Sequence, residues 1–194
     1  MGDKRVSNLA MWNASMHIGT VLGVYYVLKF CLFPLGMKSG LLGMVFIVLT
    51  LLGPVLAYRL TRGFRRMSMP DASFASLGQA WGFVFQLFLF ASLLVSVAHY
   101  VYFAFIDHGM LLAAYNTTLA QMAELAKESG AESVAMQTQL DAMKATVDMV
   151  AAMTPIQITM QLLVNNLFWG CLLGLPIGAL NMREDKKPIN RDNQ

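Results

Sequence analysis

Charge is scarce in this chain. Only 13% of its 194 residues are Asp, Glu, Lys or Arg, against 57% hydrophobic, a balance too apolar for a water-soluble domain and characteristic of the membrane class. Charge is also missing in long blocks, with none of the four types from Val6 to Leu28, from Ser39 to Tyr58 or from Phe74 to Ile106. Cysteine is nearly absent. Cys31 and Cys171 sit inside apolar runs, which argues against a disulfide framework or a zinc site. The chain lacks a Walker loop, a His-Glu-x-x-His pair, a dinucleotide fingerprint and a Ser-His-Asp order, so it does not read as an enzyme. Fifteen methionines are present, Met67 and Met69 being the nearest to a motif, but they lack the clustering of a soft-metal site. No cofactor and no metal are expected. The formal charge of +3 does not point to nucleic acid, because the positive residues gather beside apolar runs, where they report membrane orientation.

What is present is four runs long enough to cross a hydrocarbon core, which needs about 20 residues. The spans are predicted at 11–35, 40–58, 77–102 and 155–180. Met1 to Arg5 followed by an apolar segment reads as an uncleaved first span. In that span Asn13, His17 and Thr20 share a face that should turn toward other helices, and Lys29 is expected to snorkel to the interface with Tyr25 and Tyr26 beside it. Pro54 should kink span two. In span three, Gly78, Gly82 and Gln86 fall on one row and Ser92, Ser96 and His99 on another, both suited to interhelical contact. Span four carries Asn166, Gly170, Gly174 and Gly178 at four-residue spacing, with Gln157, Gln161 and Asn165 on the adjacent row. Small residues at that spacing let backbones approach and amides in hydrocarbon need partners, so span four is expected at the centre of the bundle as its packing seam.

Between spans three and four lies the one long polar stretch, 107–154. Its apolar residues recur as Leu112, Tyr115, Leu119, Met122, Ala126 and again as Met136, Leu140, Met143, Val147, Val150, each set on one helical face. Two amphipathic helices in an antiparallel hairpin follow, with Gly130 at the tip and the two stripes closing on each other. If the hairpin docks a partner, apolar area should stay exposed near Met149 and Met153. The fold class is therefore all-α, an integral membrane four-helix bundle with an extramembrane amphipathic hairpin between spans three and four.

Orientation follows from Lys and Arg. With both termini in the cytoplasm, the inside holds Lys4, Arg5, Arg59, Arg62, Arg65, Arg66, Arg183, Lys186, Lys187 and Arg191, and the outside only Lys38, Lys127 and Lys144. That asymmetry places the hairpin outside. The loop carrying Arg59, Arg62, Arg65 and Arg66 reads as a cytoplasmic anchor for anionic headgroups.

Four spans, the run Tyr102-Phe103-Ala104-Phe105-Ile106-Asp107 closing span three, the long polar helical insertion and the Gly-rich last span before a short basic tail together resemble the bacterial inner-membrane family known as domain of unknown function 4199, found in Bacteroidota. The likeness covers nearly the whole chain. It departs at His108, where the family usually places a proline after the Ile-Asp pair. It implies the fold and an inner-membrane location, with an association with envelope biosynthesis, and it carries no established activity.

One polar group is a candidate site: Lys29, Lys38, His99, Asp107 and His108 all fall near the outer interface, where cations, a carboxylate and a base could hold a lipid phosphate. Three roles are compatible with these residues. The first is an accessory or scaffold subunit docking an envelope-biosynthesis partner, with a membrane protein or a second copy of the chain as partner and the lipid bilayer around it. The second is a small transporter or lipid-handling protein. The third is a membrane enzyme acting on lipid phosphate.

Overall fold

Each charge-free run becomes one helix. The computed structural model describes residues 8–36, 39–68, 74, 76–128 and 133–182. Their regular structure is helical throughout: α1 (Asn8–Gly36), α2 (Gly40–Ser68), α3 (Leu77–Val101) continued by a π-helical turn (Tyr102–Ile106), α4 (Met110–Glu128), α5 (Val134–Ala151) and α6 (Pro155–Asn181). Four segments are long and apolar enough to cross a membrane: Leu9–Gly36, Gly40–Met67, Leu77–Ile106 and Pro155–Asn181. The protein is thus an all-α membrane bundle. Lys38, the tip residue Gly130, Glu132, Met69, Lys4 and Arg5 and the basic residues from Arg183 onward lie outside the described residues.

Local chemistry sets the helix starts. Ser76 accepts a hydrogen bond from the Gln79 N–H and Ser133 one from the Met136 N–H, capping α3 and α5. Helix α6 opens with Pro155 in its first turn, and the Thr154 N–H donates to Gln157 Oε1 at 2.8 Å, the reciprocal half of a capping box. Gln157 therefore serves its own helix. Pro54 stands inside α2, which continues past it, and the Tyr25 hydroxyl of α1 donates to the Leu49 carbonyl, one residue before the Thr50 carbonyl whose helix bond the proline removes.

The stretch carrying Arg59, Arg62, Arg65 and Arg66, read from the sequence as a loop, is helical. Helix α2 runs on to Ser68, so the four arginines stand on helix and not on a loop. Arginine is a good helix former and its charge suits a helix C-terminus, and a membrane boundary does not by itself end a helix.

The axis of the bundle is α3, not span four as expected. Helices α1 and α6 both pack along α3, and α2 packs on α1, reaching α6 by a shorter contact. Phe83, Val84, Leu87, Phe88 and Ala91 of α3 are buried at this centre. Close approach is set by glycines on both flanking helices. A Cβ at Gly19 would lie 2.8 Å from the Leu87 carbonyl oxygen and from Phe90 Cβ, and one at Gly23 would lie 3.1 Å from Ala91 Cα. On α6 a Cβ at Gly170 would lie 2.5 Å from Phe88 Cβ, at Gly174 2.9 Å from Trp81 Cδ1, and at Gly178 3.0 Å from the Trp81 nitrogen. Gly78 and Gly82, by contrast, meet no neighbouring helix at contact distance.

Helix α1 turns the opposite face inward from the one predicted. Asn13, His17 and Thr20 are exposed, while Met11, Ser15, Gly19 and Leu22 are buried. Close packing at Gly19 and Gly23 decides the rotation, and Ser15 adds a 3.0 Å hydrogen bond to Gln86 Oε1. Thr20 satisfies its hydroxyl on the Met16 carbonyl of its own helix.

Candidate functional site

The two ends of the bundle are built differently. At the end carrying the arginines, Phe64 stacks on Phe83 with centroids 4.7 Å apart and Phe74 joins at 5.7 Å. Arg65, in the last turn of α2, donates to the carbonyls of Asn181 and Met182 at the end of α6. Deeper in, Trp81 Nε1 donates to the Cys171 carbonyl at 3.0 Å. These bonds tie α2 and α3 to α6.

At the other end the helices open around a cavity of about 800 Å³. Tyr26, Lys29, Phe30 and Phe33 of α1 and Phe46 of α2 form one wall; Val95, His99 and Phe103 belong to α3 and its π-turn; Gln161, Leu162, Asn165 and Asn166 of α6 form the facing wall. The base of the hairpin borders it, with Leu111, Leu112 and Tyr115 from α4, Val147, Met149 and Val150 from α5 and Met153 just after α5. The walls are mainly aromatic and aliphatic, with few polar groups, the usual make-up of a small-molecule site.

The turn that brings α4 back over this end depends on Asp107. Its carboxylate accepts from the Gly109 N–H at 3.1 Å and the Leu111 N–H at 3.0 Å, capping α4. His108 and Gly109 take φ of 45° and 84°; glycine adopts this region freely and histidine tolerates it. The π-turn just before, Tyr102–Ile106, is a form that recurs at functional sites. Phe103 points from it into the cavity lining, and Tyr102 packs edge-on against Phe30 at 5.3 Å.

Of the five residues predicted as an outer cluster, the structure brings two together at the cavity: Lys29 and His99. Asp107 is buried and occupied with capping, His108 is exposed on the turn, and Lys38 lies outside the described residues. Lys29 has Tyr26 beside it, as the sequence suggested. Its Nζ stands 5.1 Å from the centroid of the Tyr26 ring and 5.3 Å from that of Phe46, because the aromatic faces of a cavity wall attract the ammonium. His99 meets Phe30 edge-on at 4.3 Å. Among the anchor arginines, Arg65 bonds α6 and Arg62 reaches the Tyr58 hydroxyl at 3.1 Å, while Arg59 and Arg66 are exposed. The seam residues Gly170, Gly174 and Gly178 are buried against α3, but Asn166, on the same row, faces the cavity. The described residues hold no group of three or more His, Cys, Asp or Glu side chains placed to share a metal ion.

The hairpin stripes do not close on each other along their whole length. Leu112, Tyr115, Val147 and Val150 face the cavity, whereas Leu119, Ala126, Met136 and Leu140 line a groove of about 510 Å³ between α4 and α5. Met122 and Met143 are exposed. Antiparallel helices whose bases rest on a bundle have a second surface to satisfy, and the lower half of each stripe is spent there. The cavity itself was not legible in the sequence; the one signal that bore on it was the amide row of span four, whose side chains needed partners.

The architecture defines a polytopic α-helical membrane protein with a hairpin seated over one end of its bundle and a cavity beneath. A family model described as protein of unknown function (DUF4199) matches residues 17–183, and the chain belongs to that family. No curated protein and no solved structure matches it.

Proposed function

We propose that this is a lipid-handling protein, which takes one membrane-derived amphipathic molecule into the cavity between its bundle and its hairpin. The observation that carries this reading is the cavity itself, about 800 Å³ with largely apolar walls drawn from all six helices. Its volume lies within the range of about 300–1,000 Å³ usual for small-ligand sites. Its walls continue into helices of membrane-crossing length, so an alkyl chain passes between bilayer and cavity without crossing water. Purified protein in non-ionic detergent should bind an alkyl chain carrying a nitrobenzoxadiazole fluorophore with saturable 1:1 stoichiometry. Leu112→Trp, which projects an indole from α4 into the path of the chain, should abolish that binding; equal binding by both proteins would overturn the reading.

In this reading the cavity lies at the outer side of a bacterial inner membrane, with both termini cytoplasmic, as the ten-to-three bias of Lys and Arg requires. In a background lacking Cys31 and Cys171, Glu124→Cys on α4 should react with an impermeant maleimide from outside and Met67→Cys should not. The reverse pattern would invert the topology.

A docking role for the hairpin has one observation in its favour. No α5 side chain is buried among the described residues, so the outer side of the hairpin is available to a partner, either a membrane protein or a second copy. Replacing 111–152 by a Gly/Ser linker should then leave the spans folded and remove a co-purifying protein; a partner that persists would exclude the hairpin as its docking site.

A further inference from the structure

The cavity gathers polar side chains for which the described residues supply no polar partner. Lys29 lies two turns before the end of α1, about 10 Å along the helix axis, and has two aromatic faces but no ion-pair partner among the described residues. An ammonium held away from bulk water is costly without a counter-charge, and ring faces offset only part of that cost. His99 lines the same cavity at 7% exposure, and its Nδ1 is buried with no hydrogen-bond partner. From α6 come Gln161 and Asn165, both exposed, and the half-buried Asn166, whose amides line the cavity and have no partner among the described residues. Helix α6 does not need them for its own structure, since Gln157 makes its cap and the glycines make its seam. Five polar side chains from three helices are thus placed around one apolar chamber.

We propose that the cavity binds an alkyl-chain amphipath whose head carries a single negative charge, with Lys29 as its counter-ion and His99 and the three amides as hydrogen-bond partners of the head. Among the described lining residues Lys29 is the one with a fixed positive charge, so a monoanion is balanced and a dianion is not. Amides both donate and accept, which suits ester or hydroxyl oxygens beside the charged group. The chain lies along Phe30, Phe33, Phe46 and Val147. A free fatty acid and the phosphodiester of phosphatidylglycerol share this chemistry. The assignment rests on the amphipath-binding reading and adds the class of head group.

The test uses the full chain in non-ionic detergent and three probes with matched oleoyl chains: oleate, dioleoyl phosphatidylglycerol and the neutral monoolein. Binding is followed by tryptophan fluorescence and by ligand-induced shifts in melting temperature. The wild type should prefer an acidic probe, oleate if the natural ligand is a free acid and phosphatidylglycerol if it is a phospholipid. Lys29→Met should weaken the preferred acidic probe by about tenfold or more, the loss that follows removal of one member of a partly desolvated ion pair. Lys29→Arg should keep the preference, and the melting temperature of each variant without ligand checks folding. If the wild type binds monoolein as tightly as the acidic probes, the head-group assignment is overturned while the cavity reading stands. If none of the three binds, both are overturned.

Discussion

The arginine end and the hairpin end of this bundle share four helices yet differ in how their polar groups are used. At the arginine end, Trp81, Arg65 and Ser15 each have a partner on another helix, the buried Asn181 Oδ1 alone having none among the described residues there, and glycines bring α6 onto α3 with no room for a methyl group. At the hairpin end the same helices carry Lys29, His99, Gln161, Asn165 and Asn166 around open volume. Proteins in lipid gain stability from close packing and interhelical hydrogen bonds, since burial against lipid tails gives no hydrophobic driving force. One end therefore holds the fold and the other is left free to hold something else. Continuous helices connect the two, with α3 at their centre, so the open end is positioned by the closed one.

That contrast breaks most visibly at Gly170. Gly170→Leu forces a side chain into Phe88, where even a Cβ would sit at 2.5 Å, and should destabilise the bundle by about 3 kcal/mol or more, the upper end of overpacking costs. Unfolding in a mixed detergent titration measures it. Gly82→Ala, with nothing within contact distance of the added carbon, should be neutral or slightly stabilising, by up to about 1 kcal/mol. A similar loss at both positions would remove the packing seam from the account.

A smaller effect is expected at the arginines. Arg65→Met removes the charged donor to the last carbonyls of α6 and should cost ~1.5–3 kcal/mol, the value of hydrogen bonds to charged groups. Arg59→Met, at an exposed position, should stay within about 0.5 kcal/mol of wild type. The same titration checks the pair, and equal losses would show that the cluster acts by charge alone.

The smallest stability change belongs to the open end. Leu112→Trp adds volume where about 800 Å³ is already free, so its stability should stay within about 0.5 kcal/mol of wild type even though ligand binding is lost. A loss comparable to Gly170→Leu would mean that this end is packed after all.

Much of the fold was legible because lipid imposes simple rules. Charge-free runs gave the four spans, and glycines four apart announced the α6 seam. The equivalent pair on α1, Gly19 and Gly23, has the same spacing but was hidden behind the more conspicuous Asn13, His17 and Thr20. Polar side chains suggested the inward face; close backbone approach decided it. The arginines were read as a loop because they mark a membrane boundary, which is not a helix boundary. At the candidate site, Lys29 and His99 were visible as ionisable residues near one interface, while Asp107 looked equivalent until its capping bonds were seen. The amides were seen as needing partners, but the cavity they face exists only because α1 and α2 stand apart from α6 at this end and the hairpin base covers the gap. Neither separation nor cover has a local sequence signature.

The central claim is that the hairpin end is a chamber for one amphipath, and native mass spectrometry of the protein released from mild detergent tests it most directly. The account predicts that the wild type carries one additional mass in the lipid range per chain, that fragmentation identifies it as a monoanion, and that Leu112→Trp flies bare. A wild type that is equally bare under conditions that preserve annular lipid, or a Leu112→Trp variant that keeps the same bound mass, would contradict it.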